Sequence, residues 1–272
     1  MIVAGLQLDI AWEDPTENFL RAERLASRAA GAGARLLVLP EMFATGFSMR
    51  AEEMAKHAPA IRDFLQETAT RLGVWILGGF AERGVAKPAN ACSLIAPDGS
   101  ERLHFHKIHP FTLAYEPEHY EAGETLETTE VEGVRVTPLI CYDLRFPELF
   151  RAAAAATDLF VVPANWPERR AHAWRTLLAA RAIDCQSWVL GVNRVGVAEG
   201  YPHRGDSSLL DPWGEVVATL ADEPGIVVGE VDAEVVRAAR EHFSFLADRR
   251  PDVYRRLESG AEPTHILIID EE

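Results

Sequence analysis

The sequence predicts an α/β fold in which strands and helices form layers around one core. Short apolar runs alternate along the chain with longer amphipathic stretches, a pattern typical of strands followed by helices. Turn sequences join neighbouring runs into hairpins at two places, around P-D-G and around D-P-W-G. No fixed-period repeat or low-complexity linker divides the chain, so we expect a single domain over residues 1–272.

The first half of the chain alternates strands and helices up to a hairpin. A glycine break precedes its second apolar run, which is too short for a helix and predicts a buried strand ending in an acid, Glu41. The hairpin closes around a P-D-G turn and ends at Lys107. The predicted elements are, in order, strand "IVAGLQLDI", helix 16–30, the strand in "GAGARLLVLPE", helix "IRDFLQETATRLG", strand "VWILGGFAE" and hairpin "NACSLIAPDGSERLHFHK".

The second half repeats the alternation and closes with a helix. One strand ends at Cys141, and Pro147 begins the next helix at a first-turn position, where its missing N–H costs nothing. The predicted elements are, in order, strand "VRVTPLIC", helix "PELFRAAAAA", strand "TDLFVVPANW", helix "HAWRTLLAARAIDCQ", strand "WVLGVNRVG", hairpin "SSLLDPWGEVVATL", strand "GIVVGEVD" and helix 233–250.

The charge and cysteine content exclude several classes of protein. A net charge of −15 repels nucleic acid and anionic lipid, so neither is an expected partner. The N-terminus has no basic region, and no apolar run approaches the roughly 18 residues of a membrane span. The three cysteines form no C-x-x-C and leave one unpaired, so reduced thiols in a cytoplasmic protein are expected.

Three predicted strand ends carry Glu41, Lys107 and Cys141, and layered α/β proteins usually place reactive groups at such ends. A carboxylate can remove the proton of a thiol, whose ordinary pKa is about 8.5, and an ammonium can stabilise an oxyanion. These groups would suffice for acyl transfer. Because free cysteine is among the most buried residue types, a core position is the competing interpretation of Cys141, and it is the one adopted for Cys92 and Cys185.

The segments "LVLPEMF", "HKIHPF" and "ICYDLRFPELFR" resemble, in order, the three motifs of the carbon–nitrogen hydrolase (nitrilase) superfamily. Further similar segments, such as "ARAIDCQSWVLGVNRVG", extend the resemblance over nearly the whole chain. The resemblance implies a four-layer α-β-β-α sandwich. It also implies that Glu41 is the general base, Lys107 the oxyanion stabiliser, Cys141 the nucleophile, and the backbone N–H of Tyr142 a second oxyanion donor.

The resemblance also implies a second glutamate and a substrate class. Glu116 in "YEPEHYEAGE" matches the second glutamate best, with Glu118 as the alternative. "CYDLRFPE" is closest to the amidase branches, particularly the ω-amidases, which implies a small carboxylate-bearing amide such as 2-oxoglutaramate or 2-oxosuccinamate, and no metal or organic cofactor. Arg145 could bind the substrate carboxylate or form an ion pair with an acid such as Asp143.

Other interpretations stay open. Phe43 and Trp166, just beyond strand ends, are candidate pocket residues, although aromatic residues there are often plain packing. His104 and His106 share one face of a predicted strand and could support a metal-dependent hydrolase. A nitrilase or N-carbamoyl hydrolase and a catalytically inactive binding module are further alternatives. The resemblance alone implies a homodimer or a larger even-numbered homo-oligomer.

Overall fold

The structure is a computed structural model that describes residues 1–259, in which strands and helices alternate. The strands are β1 (Ile2–Gln7), β2 (Leu36–Val38), β3 (Trp75–Glu82), β4 (Ala89–Ile95), β5 (Glu101–His106), β6 (Thr129–Val131), β7 (Val134–Pro138), β8 (Leu159–Ala164), β9 (Trp188–Asn193), β10 (Val195–Ala198), β11 (Tyr201–Leu210), β12 (Val216–Ala221) and β13 (Gly225–Glu230). The α-helices are α1 (Pro15–Gly31), α2 (Ala51–Ala55), α3 (Ala58–Leu72), α4 (Glu116–His119), α5 (Pro147–Ala153), α6 (Ala171–Cys185), α7 (Ala233–His242) and α8 (Pro251–Glu258).

The described strands form two mixed sheets. The first has the order β13-β1-β2-β3-β4-β5, with β1, β2 and β3 parallel and the other neighbours antiparallel. The second has the order β10-β11-β9-β8-β7-β6, with β7, β8 and β9 parallel and β12 paired to β11. In both sheets the parallel strands lie at the centre, so their carboxyl ends meet at shared edges.

The two sheets pack face to face, and each outer face is covered by helices. Side chains alternate along β2, so Leu36 and Val38 join the core between the sheets while Leu37 packs under α1 and α3. The sheets approach closely at Gly5, where a Cβ would lie 2.8 Å from a methyl of Val192. On the far side, α5 and α6 cover the second sheet. The predicted four-layer α-β-β-α sandwich is therefore confirmed.

One predicted helix is wrong over its second half. The structure ends α7 at His242, follows it with a short 3₁₀ turn and begins α8 at Pro251, where 233–250 was predicted to be one helix. The side-chain amide of Gln186 donates hydrogen bonds to the carbonyls of Ala239 and Phe243, at 3.2 and 2.8 Å. The Phe243 carbonyl thus has a tertiary partner, and the chain leaves the helical path there.

None of the helices described within residues 1–259 combines the length and the apolarity that a membrane span requires.

Candidate active site

Three strand ends bring the predicted acid, cation and nucleophile together. Glu41 lies three residues beyond the end of β2, Lys107 follows β5 directly, and Cys141 lies three residues beyond the end of β7. Because β2 and β5 belong to the first sheet and β7 to the second, the group is assembled across the gap between the sheets.

The backbone behind Glu41 depends on a glycine in the neighbouring strand. A Cβ at Gly79 would lie 3.1 Å from the Cα of Glu41 and 3.0 Å from the Met42 nitrogen, closer than most Cβ contacts. The chain also turns sharply here, because Met42 has a φ of +45°. This close approach of β3 fixes the position from which the Glu41 carboxylate enters the site.

Cys141 lies in a turn that holds its backbone in a sparsely populated conformation. Its φ is +48°, in the left-handed region that costs non-glycine residues about 1–3 kcal/mol. The Asp143 carboxylate fixes this turn by accepting hydrogen bonds from the Ile140 backbone N–H at 3.1 Å and from the His109 backbone N–H at 2.9 Å. The Cys141 residue is buried but keeps 8% exposure, and that exposure lies in the wall of a cavity.

The backbone N–H of Tyr142 lies at the start of the same turn. In this 3₁₀ helix of Cys141–Arg145, the Asp143 N–H donates to the Ile140 carbonyl at 3.0 Å and closes the first turn. Tyr142 lies one residue before Asp143, so its backbone N–H has no acceptor within the helix. It is therefore available next to the Cys141 thiol as a hydrogen-bond donor.

The ammonium of Lys107 lies between two carboxylates. Its Nζ is 2.9 Å from Oε1 of Glu41 and 2.8 Å from Oε2 of Glu116, and all three side chains are at most 1% exposed. Burial lowers the pKa of Lys107, but the charges of Glu116 and Glu41 outweigh that effect and raise it above its ordinary value. Lys107 therefore stays charged throughout the physiological pH range.

Two asparagines complete the hydrogen bonding of these carboxylates. The side-chain amide of Asn90 donates to Glu41 at 2.8 Å and to Glu116 at 2.9 Å. The backbone N–H of Asn165 donates to the second oxygen of Glu41 at 2.9 Å. These donors hold Glu41 in one orientation, which a buried base requires.

Burial shifts the pKa values of Glu116 and Cys141 in the same direction, upward. Burial raises the pKa of Glu116, and the neighbouring Glu41 adds to this effect while Lys107 opposes it. Burial also raises the pKa of the Cys141 thiol, as does the charge of the neighbouring Glu41, while Lys107 opposes the shift. Since one ammonium faces two carboxylates, a third negative charge on sulfur is disfavoured at rest, and the thiol needs a base at the moment of attack.

A cavity of about 310 Å³ opens on this group. Cys141 and Lys107 lie in its wall, whereas Glu41 and Glu116 lie behind them, out of reach of solvent. Much of the remaining lining is apolar or cationic, and it includes Trp12, Phe47, Met49, Phe111, Tyr142, Arg145, Trp166, Arg169, Arg170, Tyr201 and His203. The size of the cavity restricts it to a small molecule.

Comparison with known proteins identifies the family of the chain. Residues 2–241 match the carbon–nitrogen hydrolase family model. The chain belongs to the carbon–nitrogen hydrolase family. The predicted family and the predicted enzyme class are thereby confirmed.

The relatives of this carbon–nitrogen hydrolase match it over nearly their full length. Omega-amidase YafV of Yersinia enterocolitica is 38% identical over 247 residues, covering 89% of this chain and 94% of the relative. The 2-oxoglutaramate amidase of Bacillus subtilis is 33% identical over 256 residues, covering 93% and 98%. The crystal structure of XC1258 from Xanthomonas campestris, a superfamily member with an arsenic adduct in its active site, is 31% identical with a TM-score of 0.86, covering 92% and 97%.

The structure of this hydrolase distinguishes Glu116 from Glu118 as the second glutamate and Trp166 from Phe43 as a cavity residue. Glu116 is buried against Lys107, whereas Glu118 is exposed on the other side of α4. Trp166 lines the cavity, with the guanidinium of Arg145 4.9 Å above its ring. Phe43 is a correction, because it does not line the cavity: it is fully buried beside Phe19 and Phe64, under the helices of the first sheet. The sharp turn at residue 42 directs it there.

Arg145 lines the cavity without an acidic partner. Among residues 1–259, no carboxylate lies within 4.0 Å of it; Asp143 instead bonds to His109 and Ile140. Arg169 and Arg170 line the same cavity and likewise have no ion pair in the described chain. The carboxylate of Glu199 is exposed at the rim. A cationic wall thus faces the cavity in a protein of net charge −15.

The sequence analysis did not identify several residues of the cavity and its surroundings. Asn90 lies inside a hairpin strand and gives no signal by itself, although its alternation with Cys92 could have placed it on the core-facing side. Arg169 and Arg170 lie two and three residues after "PANWP", so their position after a strand end was a usable signal. Glu82 was also missed: it joins His104 and His106 into a cluster on the opposite face of the first sheet, which does not contribute to the cavity lining.

Proposed function

We propose that this hydrolase is an ω-amidase, which removes the terminal amide of a small carboxylate-bearing amide such as 2-oxoglutaramate and releases ammonia. The observation that carries the proposal is one cavity with a cysteine and a buried Lys–Glu group in its wall and three unpaired arginines around it. Relatives named omega-amidase and 2-oxoglutaramate amidase, which match over most of the chain, support it.

The first half of the proposed reaction forms a thioester. The Glu41 carboxylate accepts the thiol proton of Cys141 as the sulfur attacks the amide carbon, so charge moves from the carboxylate to the substrate oxygen. Lys107 and the backbone N–H of Tyr142 stabilise that oxyanion. When the tetrahedral intermediate collapses, the C–N bond breaks and protonated Glu41 gives its proton to the departing ammonia.

The second half hydrolyses the thioester. A water molecule enters where ammonia has left, Glu41 accepts its proton, and the hydroxide adds to the thioester carbon. Collapse of this second intermediate breaks the C–S bond and returns the proton to sulfur. Glu116 helps to hold Lys107 and the water in place, which fits its hydrogen bonds to Lys107 and Asn90.

The proposed carboxylate site consists of Arg145 and Arg170. The guanidinium of Arg145 lies over the ring of Trp166. The guanidinium carbon of Arg170 lies 5.1 Å from the ring centre of Phe111. Burial and the charge of Arg169 lower the pKa of Arg170, so an anion bound there would relieve an unfavourable interaction between cations. Planar guanidinium groups bind carboxylates through two parallel hydrogen bonds, which selects for this end group.

The test is ammonia release across matched panels of ω-amides of oxo-dicarboxylates, neutral aliphatic amides, nitriles and N-carbamoyl amines. We expect the highest kcat/KM on the carboxylate-bearing amides and no activity above background in Cys141→Ala. Preference for nitriles or carbamoyl compounds would replace the ω-amidase proposal by one of those reactions. No product from any panel, together with Cys141 unlabelled by iodoacetamide, would establish an inactive binding protein.

The carboxylate site has its own test. Arg145→Lys keeps the charge but loses the two-pronged contact, so we expect kcat/KM on a carboxylate-bearing amide to fall about 10- to 100-fold, because a charge-assisted hydrogen bond contributes about 1.5–3 kcal/mol. On a neutral amide of equal length the change should stay within about 2-fold. Arg102→Lys, at an exposed position, is the matched control. Equal losses on both substrates would show that Arg145 has only a structural role.

The oligomeric state and cellular location stay predictions. We propose a homodimer or larger even-numbered homo-oligomer in the cytoplasm, on the family resemblance alone. Light scattering on the purified protein measures the first, and a monomer at micromolar concentration would contradict it. The single-domain prediction also stays open, since residues 260–272 lie outside the described part of the chain.

A further inference from the structure

Two histidines and a glutamate converge on the outer face of the first sheet. Register places Phe80 of β3, Ala91 of β4 and His106 of β5 side by side, so residues at even spacing from them share that face. Glu82 and His104 therefore project on the same side as His106. Leu103 and Phe105 point the other way, into the core between the sheets.

Three potential ligand atoms of this cluster face one another. Oε1 of Glu82 lies 2.6 Å from Nε2 of His104 and 2.6 Å from Nε2 of His106, and the two nitrogens are 3.1 Å apart. Two ligand atoms bound to one ion at about 2.0–2.1 Å stand roughly 3 Å apart. The 3.1 Å separation has that size, and the two 2.6 Å separations are those of hydrogen bonds, so a bound ion would need Oε1 of Glu82 to move outward by a few tenths of an ångström.

The hydrogen bonding of Nδ1 of His104 bears on what could lie between the ligand atoms of Glu82, His104 and His106. Ser93 gives its hydroxyl proton to Oε1 of Glu101, so its oxygen is left to accept a hydrogen bond from Nδ1 of His104 at 3.0 Å. The same Glu101 oxygen lies 3.2 Å from Nδ1 and adds a second acceptor. Both favour the tautomer with the proton on Nδ1, which leaves a lone pair on Nε2 directed at Glu82 and His106.

With the proton on Nδ1, the lone pair on Nε2 of His104 faces the Glu82 carboxylate, an arrangement that a cation between them would stabilise. Oε2 of Glu82 is already bound to Arg62 at 2.6 Å, which leaves Oε1 free to serve as a single ligand. A histidine whose far nitrogen donates to a carboxylate or hydroxyl is the arrangement that orients metal ligands in proteins. The alternative occupant is a proton, which would convert His104 to an imidazolium.

We propose that Glu82, His104 and His106 bind a divalent first-row transition-metal ion of the zinc type. Two imidazole nitrogens and one carboxylate oxygen are a donor set that such ions prefer, and water completes the coordination because His104 and His106 are 32% and 35% exposed. The ion would connect β3 to the edge strand β5 across β4 and so stabilise that edge. It takes no part in the proposed reaction, since the cluster does not line the cavity.

The experiment measures Zn²⁺ binding by calorimetry on the full-length protein carrying Cys141→Ala, which removes the accessible thiol as a competing ligand. We expect one ion per chain, a higher midpoint of thermal unfolding with Zn²⁺, and at least about 10-fold weaker binding after His104→Gln or His106→Gln. His242→Gln, at an exposed position on α7, is the control and should bind like the parent.

Co²⁺ bound to the unmodified protein provides a second readout. Its absorption bands should report nitrogen and oxygen ligands and should disappear after Glu82→Gln, even if a histidine variant fails to fold. Two results would overturn the proposal. One is Zn²⁺ binding that His104→Gln and His106→Gln leave unchanged. The other is no binding together with a His104 ring that carries protons on both nitrogens by NMR, which would show that the occupant is a proton.

Discussion

The two faces of β5 carry titratable side chains of very different character. On the inner face, Lys107 and its two glutamates are almost completely removed from solvent, and Asn90 completes their hydrogen bonding. On the outer face, His104 and His106 are about one-third exposed and share a single carboxylate oxygen. Three of the four consecutive residues "HFHK" thus contribute to two separate clusters, and Phe105 packs in the core, because strand side chains alternate.

Burial explains the difference. Charges removed from water must be neutralised and hydrogen-bonded by the protein itself, so the inner group is fixed in one arrangement and is suited to stabilising charge during a reaction. The outer group can exchange its partners with water or a dissolved ion. Substitutions should therefore be costly on the inner face and mild on the outer one, and the following predictions test that contrast.

The largest effect is expected for Lys107→Met. Methionine retains the volume but leaves two buried carboxylates without their cation, and breaking a buried ion pair costs about 3–5 kcal/mol. We also expect kcat/KM to fall about 10³-fold or more, because the oxyanion loses its charged partner. Chemical denaturation and ammonia release measure the two quantities. Lys56→Met, at an exposed pair with Glu53, should change neither by more than about 2-fold or 0.5 kcal/mol.

A smaller effect is expected when one of the two glutamates is neutralised. Glu116→Gln removes a carboxylate whose pKa is raised by burial, so we expect little change in the free energy of unfolding. The kcat should fall about 10²-fold with KM nearly constant, because Lys107 and the attacking water are less firmly held. Glu118→Gln, two residues away and exposed, is the matched control. Equal kcat values for the two variants would contradict the assignment of Glu116.

The sequence predicted the inner group better than the outer one. Glu41, Lys107 and Cys141 follow apolar runs whose ends can be located from the sequence, and the family motifs identify them. Asn90 and Glu82 contribute through strand pairing, and no local pattern tells which residues of β3 and β4 will neighbour β5. The prediction for Phe43 was wrong because the turn at Met42 directs its ring into a different layer, and the sequence does not show that turn.

Alkaline pH should lower stability through two buried thiols, Cys92 in β4 and Cys185 in α6. Burial raises the pKa of Cys92, and it raises that of Cys185 to about 12. Above about pH 8.5 the unfolded chain releases these protons while the folded chain keeps them, so the free energy of unfolding falls as pH rises, by at most about 1.4 kcal/mol per pH unit for each thiol. Cys92→Ala should reduce that slope between pH 8.5 and 10 without altering it near pH 7. An unchanged slope would show that Cys92 ionises equally in both states.

The smallest effect on catalysis is expected from removing metal ions. Every group of the proposed reaction lies in or directly behind the cavity wall, whereas Glu82, His104 and His106 lie on the far side of β5. Treatment with a chelator should therefore leave kcat/KM within about 2-fold while it lowers the midpoint of thermal unfolding, since a bound ion stabilises only the folded state. Iodoacetamide should alkylate Cys141 from the cavity and abolish activity, and it serves as the comparison. Activity that is lost on chelation and restored by Zn²⁺ would contradict the proposal that only the inner group is catalytic. The outer cluster would then be required for the reaction.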